Sequence, residues 1–116
     1  MRDLMLQAAG LLAIVTAVAH GVIAEWRIFA KVQIQPAGMR TLLRMVWQAS
    51  TVDWIGVGIL MIATPYLNSE ITRRWVIALA VLVYGFAAIC NAVATRGRHV
   101  GWLMMAGVVA LSLLSL

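Results

Sequence analysis

Four long apolar segments alternate with short polar ones along the chain. Residues 4–24, 75–95 and 100–116 contain no Asp, Glu, Lys or Arg, and residues 46–64 contain a single one, Asp53. A membrane-spanning helix needs about 20 apolar residues, because each residue adds about 1.5 Å and the hydrocarbon core is about 30 Å thick. The pattern predicts an all-α fold, an integral membrane protein with four antiparallel transmembrane helices and short loops. The predicted spans cover residues 4–24, 42–64, 75–94 and 100–116.

The composition agrees with this pattern. Of the 116 residues, 64% are hydrophobic and 11% are charged, whereas an ordinary soluble domain has about 45–50% apolar and about 25% charged residues. The longest stretch outside the spans, residues 25–45, is too short to form a domain of its own. The composition therefore excludes an ordinary soluble protein and predicts one membrane domain over residues 1–116. The single cysteine, Cys90, excludes a disulfide within the chain.

The formal net charge of +5 comes from basic residues beside the spans. No basic run with interleaved aromatic residues is present, so anionic lipid headgroups are the expected partner and nucleic acid is not. A second copy of the chain or a larger membrane complex is a further expected partner. The positive-inside rule puts loops 1 and 3 in the cytoplasm and both termini outside a plasma or bacterial inner membrane. Loops 1 and 3 hold Arg27, Lys31, Arg40, Arg44, Arg96 and Arg98, against Arg2, Arg73 and Arg74 on the other surface.

Polar side chains within the spans gather in one half of the membrane. When each residue is given a depth of about 1.5 Å per position from its span's midpoint, the half that carries loops 1 and 3 receives nearly all of them. The other half receives only Gln7 and Ser112. This distribution predicts a polar vestibule that opens on the cytoplasmic side and ends near the midplane. Its predicted members are Asp53, His20, Gln48, Asn91, Tyr84 and Thr16, and its mouth is formed by Glu25, Arg44 and His99.

Among these residues, Asp53 has the highest free-energy cost of insertion into a membrane. A central aspartate costs about 2.5–3.5 kcal/mol on insertion scales, so its carboxyl should find a partner. We expect Tyr84 or Thr16 to donate a hydrogen bond to it. Asp53 also shares a helix face with Ala49 and Gly56, which are small enough to admit a close neighbour. Two interpretations stay open, namely a hydrogen bond that holds helices together and a proton carrier.

Two further patterns concern helix faces. Trp47 and Trp54 are seven residues apart and so share one face of the second span, and Trp102, in the fourth span, lies in the same layer as His20, Gln48 and Asn91. They form either a packing surface or the wall of a ligand site, where an indole face contributes roughly 0.5–2 kcal/mol toward a cation. Small residues recur at every fourth position of the first span and predict a close helix contact, within the chain or with a second copy. These residues are Ala9, Ala13, Ala17 and Gly21.

Two classes of function without an enzymatic step fit these features. The first is an accessory or interaction subunit, or a ligand-binding bundle, with its vestibule on the cytoplasmic half. The second is a proton-coupled transporter of small molecules with Asp53 as carrier. Four helices in so short a chain resemble the small multidrug resistance transporters in gross architecture. The carboxylate of that family lies in the middle of the first helix, where residues 12–16 contain no acid, so no family is assigned.

The third class is a membrane enzyme linked to haem, a metal, a quinone or a lipid. Haem between helices is held by two imidazoles, and His20 and His99 are the only histidines. A metal site would combine these two with Glu25, since imidazole and carboxylate bind several divalent ions. No nucleophile motif, phosphate loop or zinc signature assigns a catalytic residue. The cofactor therefore stays open, and a protein without enzymatic activity is the favoured interpretation.

Overall fold

The chain is entirely helical in its computed structural model, which describes all 116 residues. The predicted all-α fold with four helices is confirmed. A π-helical segment, Ala24–Phe29, prolongs the first helix beyond its predicted end, and a short 3-10 helix, Thr64–Leu67, follows the second. The four helices are α1 (Arg2–Ile23), α2 (Ala37–Ala63), α3 (Glu70–Thr95) and α4 (Gly101–Leu114).

Three of the helices are long and apolar enough to cross a membrane. With their extensions, α1 has 28 residues and α2 has 31, and α3 has 26. The fourth helix differs from the prediction, because it has only 14 residues. At about 1.5 Å per residue it is about 21 Å long, which is shorter than a hydrocarbon core of about 30 Å. The turn before it holds His99 and Val100, so the apolar run that begins at residue 100 is not helical at its start.

Helix α1 lies at the centre of the packing. It packs against α2 and α4, α3 packs against α4, and α2 and α3 share a smaller contact. Helices α1 and α2 run antiparallel with touching backbones, since a Cβ added to Gly10 would lie 2.6 Å from the carbonyl oxygen of Gly58, and one added to Gly21 would lie 2.9 Å from Thr51. The ridge of small residues on α1 is therefore used inside this chain. Its members Ala9, Ala13, Ala17 and Gly21 are all buried.

Local sequence explains where the helices begin and end. Pro36, in an extended conformation, precedes the first turn of α2. Proline is tolerated there because N–H groups at the start of a helix have no hydrogen-bond partner within the helix. The Ser69 hydroxyl caps α3 by accepting the backbone N–H of Thr72 at 3.2 Å, as its position before Glu70 predicts. At the other end of α3, Arg96 and Gly97 have positive φ angles of 52° and 72°, the conformation that closes many helices.

The two ends of the bundle differ in character. We call the end with both termini and the α2–α3 turn the terminal end, and the opposite one the loop end. At the terminal end Arg73, predicted from its position beside a span to be a surface charge, is buried and contacts the carboxylate of Asp3. Arg2 pairs with Glu70 at 3.1 Å and donates to the carbonyl oxygen of Ser115 at 3.3 Å. These contacts fasten the chain termini to the start of α3.

Candidate functional site

A cavity of about 360 Å³ lies at the loop end and is lined by all four helices. This volume is within the range of about 300–1,000 Å³ that is usual for small-molecule sites. Nine of the fifteen lining residues are hydrophobic, so the few polar groups decide what the cavity can recognise. It lies in the half of the bundle where the sequence predicts a vestibule. Its polar side chains belong to Thr16, His20, Asn91, Thr95 and His99.

A larger depression of about 570 Å³ lies at the terminal end. Its charged side chains already pair with one another, as Arg2 binds Glu70 and Arg73 binds Asp3. These four charged side chains are therefore engaged within the protein, whereas the loop-end cavity is lined by a residue with an unpaired buried polar atom, Asn91. The loop-end cavity is therefore the candidate site.

His20 is held between two indole rings beside the cavity. Its ring centroid lies 4.7 Å from that of Trp47, with 13° between the planes, and 4.5 Å from that of Trp54, with 31° between them. The seven-residue spacing of the two tryptophans separates them by about 10.5 Å along α2, which leaves room for one ring between them. Phe29 meets Trp47 edge-on at 6.0 Å, and Tyr84 meets Trp54 at 5.4 Å. Five rings thus form an aromatic column from the loop end into the bundle.

The hydrogen bonds of His20 fix its tautomer. Its Nε2 atom lies 3.3 Å from the Ser50 hydroxyl, and that hydroxyl donates its hydrogen to the carbonyl oxygen of Trp47 at 2.6 Å. A hydroxyl has one hydrogen, so Ser50 accepts the N–H of His20 Nε2. The Nδ1 atom of the neutral imidazole is then left as an acceptor with no partner in the chain.

Asn91 brings an unpaired acceptor to the cavity. Its Oδ1 atom is buried and has no hydrogen-bond partner. Buried polar atoms are almost always paired, and leaving one unpaired costs about 1–3 kcal/mol. The hydroxyls of Thr16 and Thr95 do not help, since they donate to the carbonyl oxygens of Leu12 and Asn91, each at 2.7 Å. The cavity is therefore short of a hydrogen-bond donor beside Asn91.

His99 supplies a hydrogen-bond donor. Its Nδ1 atom accepts the backbone N–H of Gly101 at 3.0 Å, so the neutral ring carries its hydrogen on Nε2. The lining thus combines acceptors on His20 and Asn91 with a donor on His99. Met104 and Met105 also line the cavity, and their flexible, polarisable side chains adapt to flat ring systems.

Asp53 does not join these residues. It lies exposed on the outer surface of α2, because a residue next to the inward-facing Trp54 is turned about 100° around the helix. The expectation that Tyr84 or Thr16 donates to Asp53 is wrong. Tyr84 donates to the carbonyl oxygen of Trp54 at 3.0 Å, and Thr16 donates within its own helix to Leu12.

Three other predicted residues form a separate cluster at the loop end. Arg44 pairs with Glu25 at 2.8 Å, and the Gln48 amide donates to the Glu25 carboxylate at 2.8 Å and to the carbonyl oxygen of Gly21 at 3.2 Å. None of the three lines the cavity. They tie the π-helical segment to α2 and so hold the structure beside the cavity in place.

The predicted ligand wall is present in part. Trp47 and Trp54 line the cavity, whereas Trp102 does not, since its indole N–H donates to the carbonyl oxygen of Gly97 at 3.1 Å in the α3–α4 turn. His20 and His99 reach the cavity without Glu25, and no three His, Cys, Asp or Glu side chains converge as a metal-binding group. The stacking of both tryptophans on His20 is not predicted from the sequence, although the seven-residue spacing of Trp47 and Trp54 is the feature that makes room for it.

Comparisons with protein families, with characterised proteins and with solved structures found no match to this chain. The geometry of the loop-end cavity therefore carries the functional inference. Its distinguishing features are the ring of His20 fixed between two tryptophans and the unpaired oxygen of Asn91.

Proposed function

We propose that this protein is an integral membrane ligand-binding bundle whose loop-end cavity takes a flat, largely apolar molecule with at least one hydrogen-bond donor. The buried, unpaired Oδ1 atom of Asn91, a residue that lines the mostly apolar cavity, carries this proposal. A ligand hydroxyl or amine that donates to this oxygen removes the cost of leaving it unpaired. The binding role corresponds to the first class of function that the sequence favours.

The outer surface supports the membrane part of the proposal. Three helices have the length and hydropathy of membrane spans. Large apolar side chains also face outward in the middle of α3, where Leu82 and Phe86 are each 69% exposed. A monomeric soluble protein rarely exposes apolar area on this scale, whereas a bilayer covers it without penalty. The shorter α4 relies on its flanking turn, or on a locally thinner bilayer, to reach across.

The polar groups of the lining define the ligand class. A phenol, hydroquinone or aromatic amine donates to Asn91 Oδ1 or His20 Nδ1 and accepts from His99 Nε2, while its ring packs against Met104 and Met105. Sites built around a ligand hydroxyl reject analogues that lack it, because the polar groups of the protein are then left unpaired. Recognition should therefore depend on the donor more than on ring size.

The test compares two probes that differ only in the donor. Protein in lipid nanodiscs is titrated with a short-chain hydroquinone and with its dimethyl ether, and quenching of tryptophan fluorescence reports occupancy because Trp47 and Trp54 line the cavity. We expect the hydroquinone to bind about a hundredfold more tightly, the equivalent of two hydrogen bonds, one to Asn91 and one to His20. Asn91→Leu should reduce this preference to about tenfold, and Ile89→Leu, an exposed site on the same helix, should keep it in full. Equal binding of the two probes by the wild-type protein would overturn the proposal.

Transport with Asp53 as carrier stays an alternative prediction. Asp53 does not line the cavity, so a carrier mechanism would need a second state in which α2 turns. Haem bound by both histidines likewise conflicts with the Nε2 atom of His20 being committed to Ser50. Neither alternative is supported by a specific contact, and the binding role is preferred.

A further inference from the structure

We infer that the ligand of the loop-end cavity carries a hydrocarbon tail, which lies in a groove on the outer side of α3. The ligand is then a molecule that is dissolved in the membrane. This inference rests on the proposed function, because it adds a second part to the same ligand. The groove has a volume of about 520 Å³ and is lined only by apolar side chains. They are Trp54, Leu82, Val83, Phe86, Ala87 and Cys90.

The groove adjoins the loop-end cavity. Trp54 lines both of them. On α3, Ala87 lines the groove and Asn91 lines the cavity, and Cys90 and Ala94 repeat this relationship. Residues four apart are neighbours on the surface of a helix, with about 5–6 Å between their Cβ atoms. A ring that donates to Asn91 therefore has the end of the groove one helical turn away, where a substituent of the ring enters it.

The groove runs from the cavity toward the middle of the bundle. Its lining on α3 extends from Cys90 back to Leu82, a distance of about 12 Å along the helix. Helix α3 covers Glu70–Thr95, so Leu82 lies at its middle. A ligand whose ring is held near the loop end thus extends its tail toward the centre of the membrane. Lipid chains take the same direction in each leaflet.

The groove and the cavity differ in polarity as the two parts of an amphiphile do. No polar side chain lines the groove, so it recognises no sugar, phosphate or peptide group, whereas a hydrocarbon chain needs no hydrogen bond. Its outer side is open, since Phe86 and Cys90 are exposed. The polar groups lie in the cavity, on Asn91, His20 and His99. A bulk lipid chain is the other occupant of the same chemistry, and the experiments below distinguish it from a tail that belongs to the ligand.

Binding of tailed and short probes tests the groove. The tail is in hydrocarbon before it binds, so the groove adds packing contacts and no hydrophobic free energy. We expect a hydroquinone with a decyl tail to bind about fivefold more tightly than the short-chain hydroquinone, when both are expressed per lipid in the same nanodiscs. Cys90→Phe places a ring in the groove and should remove this difference, with binding of the short probe unchanged. Val93→Phe is the matched control, because Val93 is 74% exposed on the same helix and does not line the groove. A tail effect of equal size in Cys90→Phe and the wild type would overturn the inference.

Photolabelling locates the tail directly. A hydroquinone with a diazirine in its decyl tail is irradiated in nanodiscs with the wild-type protein, and mass spectrometry identifies the labelled residues. We expect adducts within residues 82–90 and their loss when an excess of the short-chain hydroquinone displaces the ring. Adducts that resist this competitor, or that are equally frequent at Leu11 and Val15 on the exposed face of α1, would mean that a bulk lipid chain fills the groove and would overturn the inference.

The outcomes separate this inference from the proposed function. If the short-chain hydroquinone binds more tightly than its dimethyl ether but the tail has no effect, only the tail groove is refuted. If the hydroquinone and its dimethyl ether bind equally, the proposed function is refuted, and the tail groove is refuted with it.

Discussion

The imidazole ring of His20 stacks on the indole ring of Trp47, with ring centroids 4.7 Å apart and 13° between their planes. The two residues come from antiparallel helices, and Trp54 closes the other face of the imidazole at 4.5 Å. A histidine held in this way cannot turn, and its Nε2 atom is committed to Ser50. Its remaining nitrogen is therefore an oriented acceptor beside an apolar cavity, which is the chemical basis of the expectations that follow.

Two replacements of His20 should separate the effect of ring stacking on stability from the effect of the hydrogen-bond acceptor on ligand binding. In His20→Phe a ring of similar shape keeps the stack on both tryptophans but loses the acceptor, so we expect unchanged thermal stability and about tenfold weaker hydroquinone binding. In His20→Ala the stack is lost as well, and aromatic pairs contribute about 0.5–1.5 kcal/mol each, so the midpoint of thermal unfolding should fall. Fluorescence titration and thermal unfolding of both variants check this. Full-strength binding by His20→Phe would contradict the acceptor role.

Replacing Asn91 should stabilise the protein without ligand. Asn91→Leu keeps the branched shape and the number of heavy atoms and removes the unpaired buried oxygen, so we expect an increase of about 1 kcal/mol in the free energy of unfolding. Unfolding by sodium dodecyl sulfate in mixed micelles measures this change. Stability lost in the variant would mean that Asn91 is already satisfied in the empty protein, by bound water for example.

The contact between α1 and α2 should be intolerant of one added methyl group. In Gly58→Ala the new Cβ would lie 2.7 Å from a side-chain atom of Ile14 and 2.8 Å from the backbone oxygen of Gly10. The backbone cannot move aside without a cost in free energy, so we expect the free energy of unfolding to fall by about 1–3 kcal/mol. Gly85→Ala is the matched control, because its Cβ would meet only Val109, at 4.0 Å. The two alanine variants are compared by the same micelle unfolding assay, and equal stabilities would argue against this packing.

The buried Arg73 at the terminal end should contribute more to stability than its exposed neighbour Arg74. Arg73 contacts Asp3 and donates to the carbonyl oxygen of Ser115 at 3.5 Å, with only 10% of its side chain exposed, whereas Arg74 is exposed. We expect Arg73→Met to lower stability by about 1–2 kcal/mol and to speed proteolysis of the chain ends, since charged hydrogen bonds are lost. Arg74→Met should change stability by less than about 0.5 kcal/mol. Limited proteolysis followed by mass spectrometry compares the two variants.

The hydrophobic pattern was sufficient to predict the four helices because each apolar run is bounded by a charged residue, a proline or a capping residue. Ser69 and Pro36 mark helix starts that the structure keeps. The pattern could not reveal the π-helical extension Ala24–Phe29, since its charged residues resemble those of a loop. It also overestimated α4, because an apolar residue in a turn, Val100, looks the same as one in a helix.

The depth of a residue along its span was easier to predict than the direction in which its side chain points around the helix. Thr16, His20, Asn91 and His99 do meet at one cavity, as their placement in one half of the membrane suggested. Asp53 was predicted to face inward, but its direction depends on which side of α2 meets α1, and Gly58 and Met61 decide that. Burial of Arg73 was hidden for a similar reason, since its partner Asp3 is seventy residues away in sequence.

The contacts at the terminal end place the first and last residues of the chain side by side. Both Arg2 and Arg73 donate to the carbonyl oxygen of Ser115, so a short glycine linker is enough to join residue 116 to residue 1. New ends opened within the non-helical residues 32–34 would leave every helix intact. Such a circular permutant should fold to the same bundle, and reporter proteins fused at the original two ends should always report the same side of the membrane.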